Sequence, residues 1–121
     1  MSADRLHEAR NLWLSTVRPD GRPHLTPIWF VWHADRFWIC TGAAFVKTRN
    51  VRRDPRVSVA LEDGNAPVVA EGRVTVHARP YPAAVVDAFR AKFSWDISTP
   101  DDGAYGALLE VTVDRWLWGA P

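Results

Sequence analysis

The chain has 121 residues, 47% hydrophobic and 24% charged, the composition of one ordinary folded domain spanning 1–121, and not of a disordered segment. A net charge of +1 supplies no global field for nucleic acid, and no apolar run approaches the ~20 residues of a membrane-spanning helix. Seven tryptophans exceed what so small a core needs and point to an interface or an aromatic ligand. The single cysteine, Cys40, cannot form an internal disulfide, and Met1 to Arg10 lacks the apolar stretch of a secretory signal, so a cytoplasmic location is expected.

Residues 3–9 suit a short helix or a frayed start. Asn11 to Val17 reads as a strand, and Arg18-Pro19-Asp20-Gly21-Arg22 as a tight turn in which Pro fixes one φ and Gly supplies a positive one. A second strand, His24 to Trp32, is rich in aromatic and β-branched residues. Pro27 inside it cannot donate to a ladder, which marks an edge, a bulge or a stretch facing a ligand. His33-Ala34-Asp35 turns into a third strand, Arg36 to Thr41.

Gly42-Ala43-Ala44 ends that strand, and Phe45 to Arg53 reads as a short helix closed by Asp54-Pro55. Arg56 to Glu62 and Val68 to Arg79 are strands, the latter alternating Val68, Ala70, Gly72, Val74 and Val76 with a mostly polar face. Pro82 to Phe93 is helical, with Val85, Phe89 and Phe93 four apart. Trp95 to Gly103 reads as a polar loop and Ala107 to Trp118 as the last strand, with Leu109, Val111 and Val113 inward. Six strands and two short helices suggest a mainly β fold, a closed antiparallel barrel without exposed edges.

The stretch from Thr41 and Gly42 to Asn50 is the most informative. A strand ends, small residues let the backbone approach a ligand, and a helix begins whose free N–H groups and dipole favour an anion. Lys47 and Asn50 lie three apart, and Arg49 adds a planar donor suited to phosphate. Lys47, Arg49, Arg52, Arg53 and Arg56 crowd into ten positions; on charge alone they also describe a solvated helix face. Across the first hairpin, Ser15-Thr16-Val17 faces Leu25-Thr26-Pro27-Ile28-Trp29, where Ser15, Thr26 and the backbone at Pro27 offer hydrogen bonds to the edge of a flat heterocycle; plain barrel packing is the alternative. His7, His24, His33 and His77 have no metal-ligand spacing, so no metal site is expected. Ser15 and Ser94 lack a base and a nucleophile elbow. Cys40 reads as a small core residue.

The run Leu12 to Trp29, with Arg18-Pro19-Asp20-Gly21-Arg22-Pro23-His24-Leu25-Thr26-Pro27-Ile28-Trp29 at its centre, resembles the opening hairpin of the pyridoxamine 5′-phosphate oxidase-like split-barrel proteins. The run Thr41-Gly42 to Lys47-Thr48-Arg49-Asn50 and on to Val57 is similar to their phosphate-binding segment. Within that superfamily the chain is most similar to the branch that uses coenzyme F420, a deazaflavin. The resemblance implies a six-stranded antiparallel split β-barrel of Greek-key type, a homodimer with two cofactor sites at the subunit interface, and hydride transfer to a small-molecule substrate. It implies that Lys47, Thr48, Arg49 and Asn50 lie near the cofactor's phosphate or carboxylate groups and that Thr26, Pro27, Ile28 and Trp29 line its ring. FMN is the alternative cofactor, and some relatives bind haem or biliverdin without catalysis. Trp116 and Trp118 are candidates for the dimer contact or for capping the barrel.

Overall fold

The computed structural model describes residues 2–99 and 105–121. In chain order the elements are α1 (Ser2–Glu8), β1 (Asn11–Val17), β2 (Pro23–Trp29), β3 (Val31–His33), β4 (Arg36–Thr41), α2 (Val46–Arg53), β5 (Arg56–Leu61), β6 (Val69–His77), α3 (Ala83–Phe93) and β7 (Ala107–Trp118). Among the described residues no helix is long and apolar enough to cross a membrane.

The first hairpin forms as its turn chemistry dictates. Asn11 pairs with Trp29 and Val17 with Pro23, and Gly21 closes the loop at φ +88° while its N–H donates to the Arg18 carbonyl at 2.9 Å. The strands form one antiparallel sheet ordered β2-β1-β5-β6-β7-β4-β3. The architecture is a split β-barrel, with two corrections to the expectation of six strands in a closed ring. Among the described residues there are seven strands, and their hydrogen-bonded order is open, ending on β2 and β3.

The extra strand arises at Phe30. Its ring is fully buried, and its N–H carries the β1–β2 register one residue further, donating to the Arg10 carbonyl at 3.2 Å, where the pairing with β1 ends. Val31 to His33 then pairs with β4 instead. The joining turn places Ala34 and Asp35 at φ +53° and +61°, the backbone hand that two-residue hairpins require. Pro27 consequently sits on an edge strand, where its missing N–H costs no ladder bond.

The inner faces of the strands enclose Leu12 and Leu14 from β1, Phe37 and Ile39 from β4, Val57, Val59 and Leu61 from β5, and Leu109 and Val111 from β7, with Leu6 of α1 buried among them. A second core lies on the other side of β3, β4 and β7. There Val31, Trp38, Cys40 and Leu108 pack against Val85, Val86 and Phe89 of α3. Ile97, from the segment read as a polar loop, is buried in it too; the part of that loop at 100–103 lies outside the described residues. Two irregularities in the β6–β7 register, one beside Gly72, bring the strands close. A Cβ at Gly72 would stand 2.2 Å from the Thr112 carbonyl oxygen. Gly72→Ala is therefore expected to cost about 1–3 kcal/mol of stability; a denaturation midpoint equal to wild type would contradict this.

The outer sheet face carries an apolar band that crosses five strands in register: Pro27, Trp13, Ala60, Val69 and Trp118. Trp13 is 41% exposed, Trp118 65% and the neighbouring Leu25 59%. Trp116 is not part of the band. It turns inward, its ring 5.9 Å from Trp32 and 6.1 Å from Phe37.

Candidate functional site

The split between β2 and β4 holds a cavity of about 470 Å³ lined by Pro27, Ile28, Trp29, Cys40, Phe45, Trp95 and Tyr105. Its walls are aromatic rings set edge to face: Trp29 to Trp95 at 6.2 Å, Trp95 to Tyr105 at 5.3 Å, and Phe45 to Tyr105 at 6.1 Å. Trp29 is backed by Phe93, stacked at 4.4 Å and 9° between planes. Such a space receives a flat apolar ring.

Phe45 is the N-cap residue of α2, and no side chain caps this helix. The N–H groups of the first turn have no partner within the helix and point at whatever lies before it. One residue further, Val46 lines a second cavity of about 500 Å³, together with Arg18, Arg22, Arg49 and Arg53. Asp20 lies there too but is engaged by Arg22 at 2.7 Å, an arrangement that holds its carboxyl below the usual range. Among the described residues Arg18, Arg49 and Arg53 have no carboxylate within ion-pair distance, although Arg53 also donates to the Val17 carbonyl. The start of α2 thus separates a flat aromatic cavity from a cationic groove.

Lys47 sits beside that boundary, its ammonium 5.4 Å from the Phe45 ring centroid. Burial lowers its pKa from the ordinary lysine value. His24 is likewise held below its ordinary value, by burial first and then by the positive charges of Arg18 and Lys47. The local field is cationic, and an incoming anion would relieve it.

The other site residues expected from sequence divide into groups. Pro27, Ile28 and Trp29 line the aromatic cavity. Thr26 and His24 share the less exposed side of β2, and Thr41 ends β4 across the split. The Thr26 and Thr41 hydroxyls and His24 Nδ1 are buried and find no hydrogen-bond partner among the described residues, a cost that a polar ligand edge would remove. Thr48 and Asn50 are already engaged inside the fold. The Thr48 hydroxyl donates to the Gly42 carbonyl at 2.6 Å, and the Asn50 amide donates to Thr16 Oγ1 at 3.0 Å. They anchor the strand-to-helix turn, while Arg49 lines the cationic groove and Lys47 stands against the Phe45 ring.

Ser15 does not converge with Thr26. It pairs with Leu25, and Leu14 pairs with Thr26, so the pleat puts the two hydroxyls on opposite faces. Ser15 instead lines a separate outer groove with Arg56, Ser58 and Glu71. Arg56 is held by Asp54 at 2.8 Å, which keeps the Asp54 carboxyl down at about 2. Cys40, Phe45, Trp95 and Tyr105 were not legible as site residues; Trp95 in an otherwise polar stretch was the one available signal.

A small antiparallel split barrel with an aromatic cavity in its split and a cationic groove beside it defines the class of protein. The family model described as pyridoxamine 5′-phosphate oxidase matches residues 2–117, and the chain belongs to that family. Among solved structures, an F420 reductase is 22% identical with a TM-score of 0.74 over 93% of each chain. A conserved hypothetical protein from Mycobacterium tuberculosis is 29% identical with a TM-score of 0.74, over 94% of this chain and 79% of that one. HutZ, a haem storage protein from Vibrio cholerae, is 18% identical with a TM-score of 0.77, over 92% and 87%. At such identities the likeness is one of fold.

Proposed function

We propose that this protein is a deazaflavin (coenzyme F420)-dependent reductase acting as a homodimer on a small organic acceptor. The observation that carries this reading is the pairing of the two cavities on either side of the α2 start, one flat and aromatic, the other cationic. A flavin-type cofactor has the matching shape, a planar ring at one end and an anionic tail at the other. When bound, the deazaflavin supplies a hydride.

The chain's own residues bind and orient. Pro27, Ile28, Trp29 and Phe45 wall the ring, and the orphaned hydroxyls of Thr26 and Thr41 offer bonds to its polar edge. Lys47, Arg49 and the first turn of α2 hold the start of the tail. Among the described residues the cavity lining has no carboxylate or histidine, so solvent is the simplest proton source for a reduction.

The groove favours the deazaflavin over FMN. FMN carries one phosphate, which Lys47, Arg49 and the helix start would satisfy. The remaining cations without a carboxylate partner among the described residues, Arg18 and Arg53, line a groove as large as the ring cavity itself and suit a longer, more anionic tail. Arg52 lines neither cavity, and Arg56 is occupied by Asp54.

Titration of purified protein with coenzyme F420 and with FMN, followed by tryptophan fluorescence, tests the reading. Quenching of Trp29 and Trp95 with tighter F420 binding is expected. Tighter FMN binding, or FMN co-purifying at full occupancy, would replace it with an FMN-dependent oxidoreductase; an absorption band from bound haem would point to a non-catalytic carrier.

A further inference from the structure

Lys92, near the end of α3, ties together the two chain segments that carry the wall of the ring cavity. Its ammonium donates to the Ala9 carbonyl at 2.5 Å and to the Phe30 carbonyl at 3.0 Å. It also lies 4.2 Å from the Phe30 ring centroid and 5.5 Å from that of Phe93. Ala9 precedes Arg10, and Phe30 follows Trp29. The Arg10 guanidinium stands 5.4 Å over the Trp29 ring and 4.8 Å over Phe93, and the Phe30 N–H closes the tie by donating to the Arg10 carbonyl at 3.2 Å. One side chain therefore fixes the backbone next to both Arg10 and Trp29, whose side chains meet over Phe93.

We infer that Lys92 is a positioning residue for the ring cavity, its ammonium holding Trp29 against Phe93 as a rigid wall. The geometry favours the charged form. A hydrogen bond from an ammonium to a carbonyl is roughly twice as strong as one from a neutral donor, and the attraction to the Phe30 ring face vanishes with the charge.

That charge is lost within reach of ordinary conditions. Burial, assisted by the positive charge of Arg10, lowers the Lys92 amine to about 8. A cavity of about 400 Å³ adjoins the amine, lined by His7 from α1, Trp32 and His33 from β3, and Ala88 and Ala91 from α3. Among the described residues no carboxylate lines it, so nothing anionic there retains the proton. Below the midpoint the wall is held; as pH rises through it, the neutral amine releases its grip on the Ala9 and Phe30 carbonyls.

The inference rests on Trp29 walling the ring, and the test separates the two claims. Protein labelled with 5-fluorotryptophan is titrated without cofactor, the Trp29 fluorine resonance being assigned by its loss in Trp29→Phe. The expected result is a shift of that resonance with a midpoint near 8 in the wild type. Lys92→Arg, charged throughout, should show no such transition, and Lys92→Met should sit at the high-pH position at every pH. A transition that survives in Lys92→Arg, or one that is abolished by His7→Gln or His33→Gln, overturns the inference. Absence of any transition in the wild type does the same. F420 titration on either side of the midpoint then addresses the ring wall. Affinity should fall as pH rises in the wild type and stay level in Lys92→Arg. The fluorine transition without a change in affinity would keep the positioning role and remove Trp29 from the ring site.

Discussion

Replacing Lys47 and Arg49 together with alanine is expected to weaken cofactor binding by on the order of a hundredfold, with the fold retained. Each supplies a charge-assisted hydrogen bond worth about 1.5–3 kcal/mol to an anionic tail, and about 1.4 kcal/mol is tenfold in affinity. Arg49 is exposed, so the lower end of that range applies to it. Neither side chain anchors the helix: Lys47 contacts the Phe45 ring, and the bonds that seat the turn belong to Thr48 and Asn50. The loss should shrink in high salt, because the groove is open and its charges are screened. Calorimetric titration of the folded double variant with F420 checks this. Unchanged affinity would mean that the segment is a solvated helix face after all.

Trp13→Glu is expected to convert the proposed dimer to a monomer. Trp13 is a large aromatic in the apolar row that runs from Pro27 through Trp13, Ala60 and Val69 to Trp118. A second copy, presenting the same band, is the natural cover for it, since a two-fold interface joins one patch to itself. Central buried aromatics carry a large share of such binding energy, each worth upwards of about 2 kcal/mol. A carboxylate in their place would meet its own counterpart or remain unpaired in a dry contact. Sedimentation at micromolar concentration should give about twice the 13.6 kDa chain mass for the wild type and the single mass for the variant, with far-ultraviolet circular dichroism unchanged. A monomeric wild type would remove the dimer from the proposal. A dimeric Trp13→Glu would move the contact to another face.

Much of the fold was legible because it is locally encoded. The Pro-Asp-Gly turn and the alternation around it define the first hairpin, and the observed strands and helices begin or end within a few residues of the expected bounds. Pro27, from its chemistry alone, pointed to an edge, a bulge or a stretch facing a ligand, and β2 is an edge strand. Lys47 and Arg49 stood out as candidates because a strand, small residues and a basic helix start follow one another directly in the chain.

What the tertiary structure alone decided depends on partners far apart in sequence. The run His24 to Trp32 looks like one strand. It divides at Phe30, whose ring is buried in the core, because the residues after it pair with β4 and not with β1, contacts that no local window contains. Trp116 looked as free as Trp118 until a β6–β7 register shift turned it inward, pairing it with Ala70 while Trp118 pairs with Val69. Thr48 and Asn50 shared the expected phosphate segment, but their bonds to Gly42 and Thr16 exist only once that turn is docked on β1. The aromatic cavity draws on β2, β4, the start of α2 and the segment between α3 and β7, and the cationic groove joins the β1–β2 loop to α2. Hydrophobic packing brings these segments together without regard to their order in the chain. A sequence therefore specifies the chemical character of such a site residue by residue, while its shape comes into being only with the core that closes beneath it.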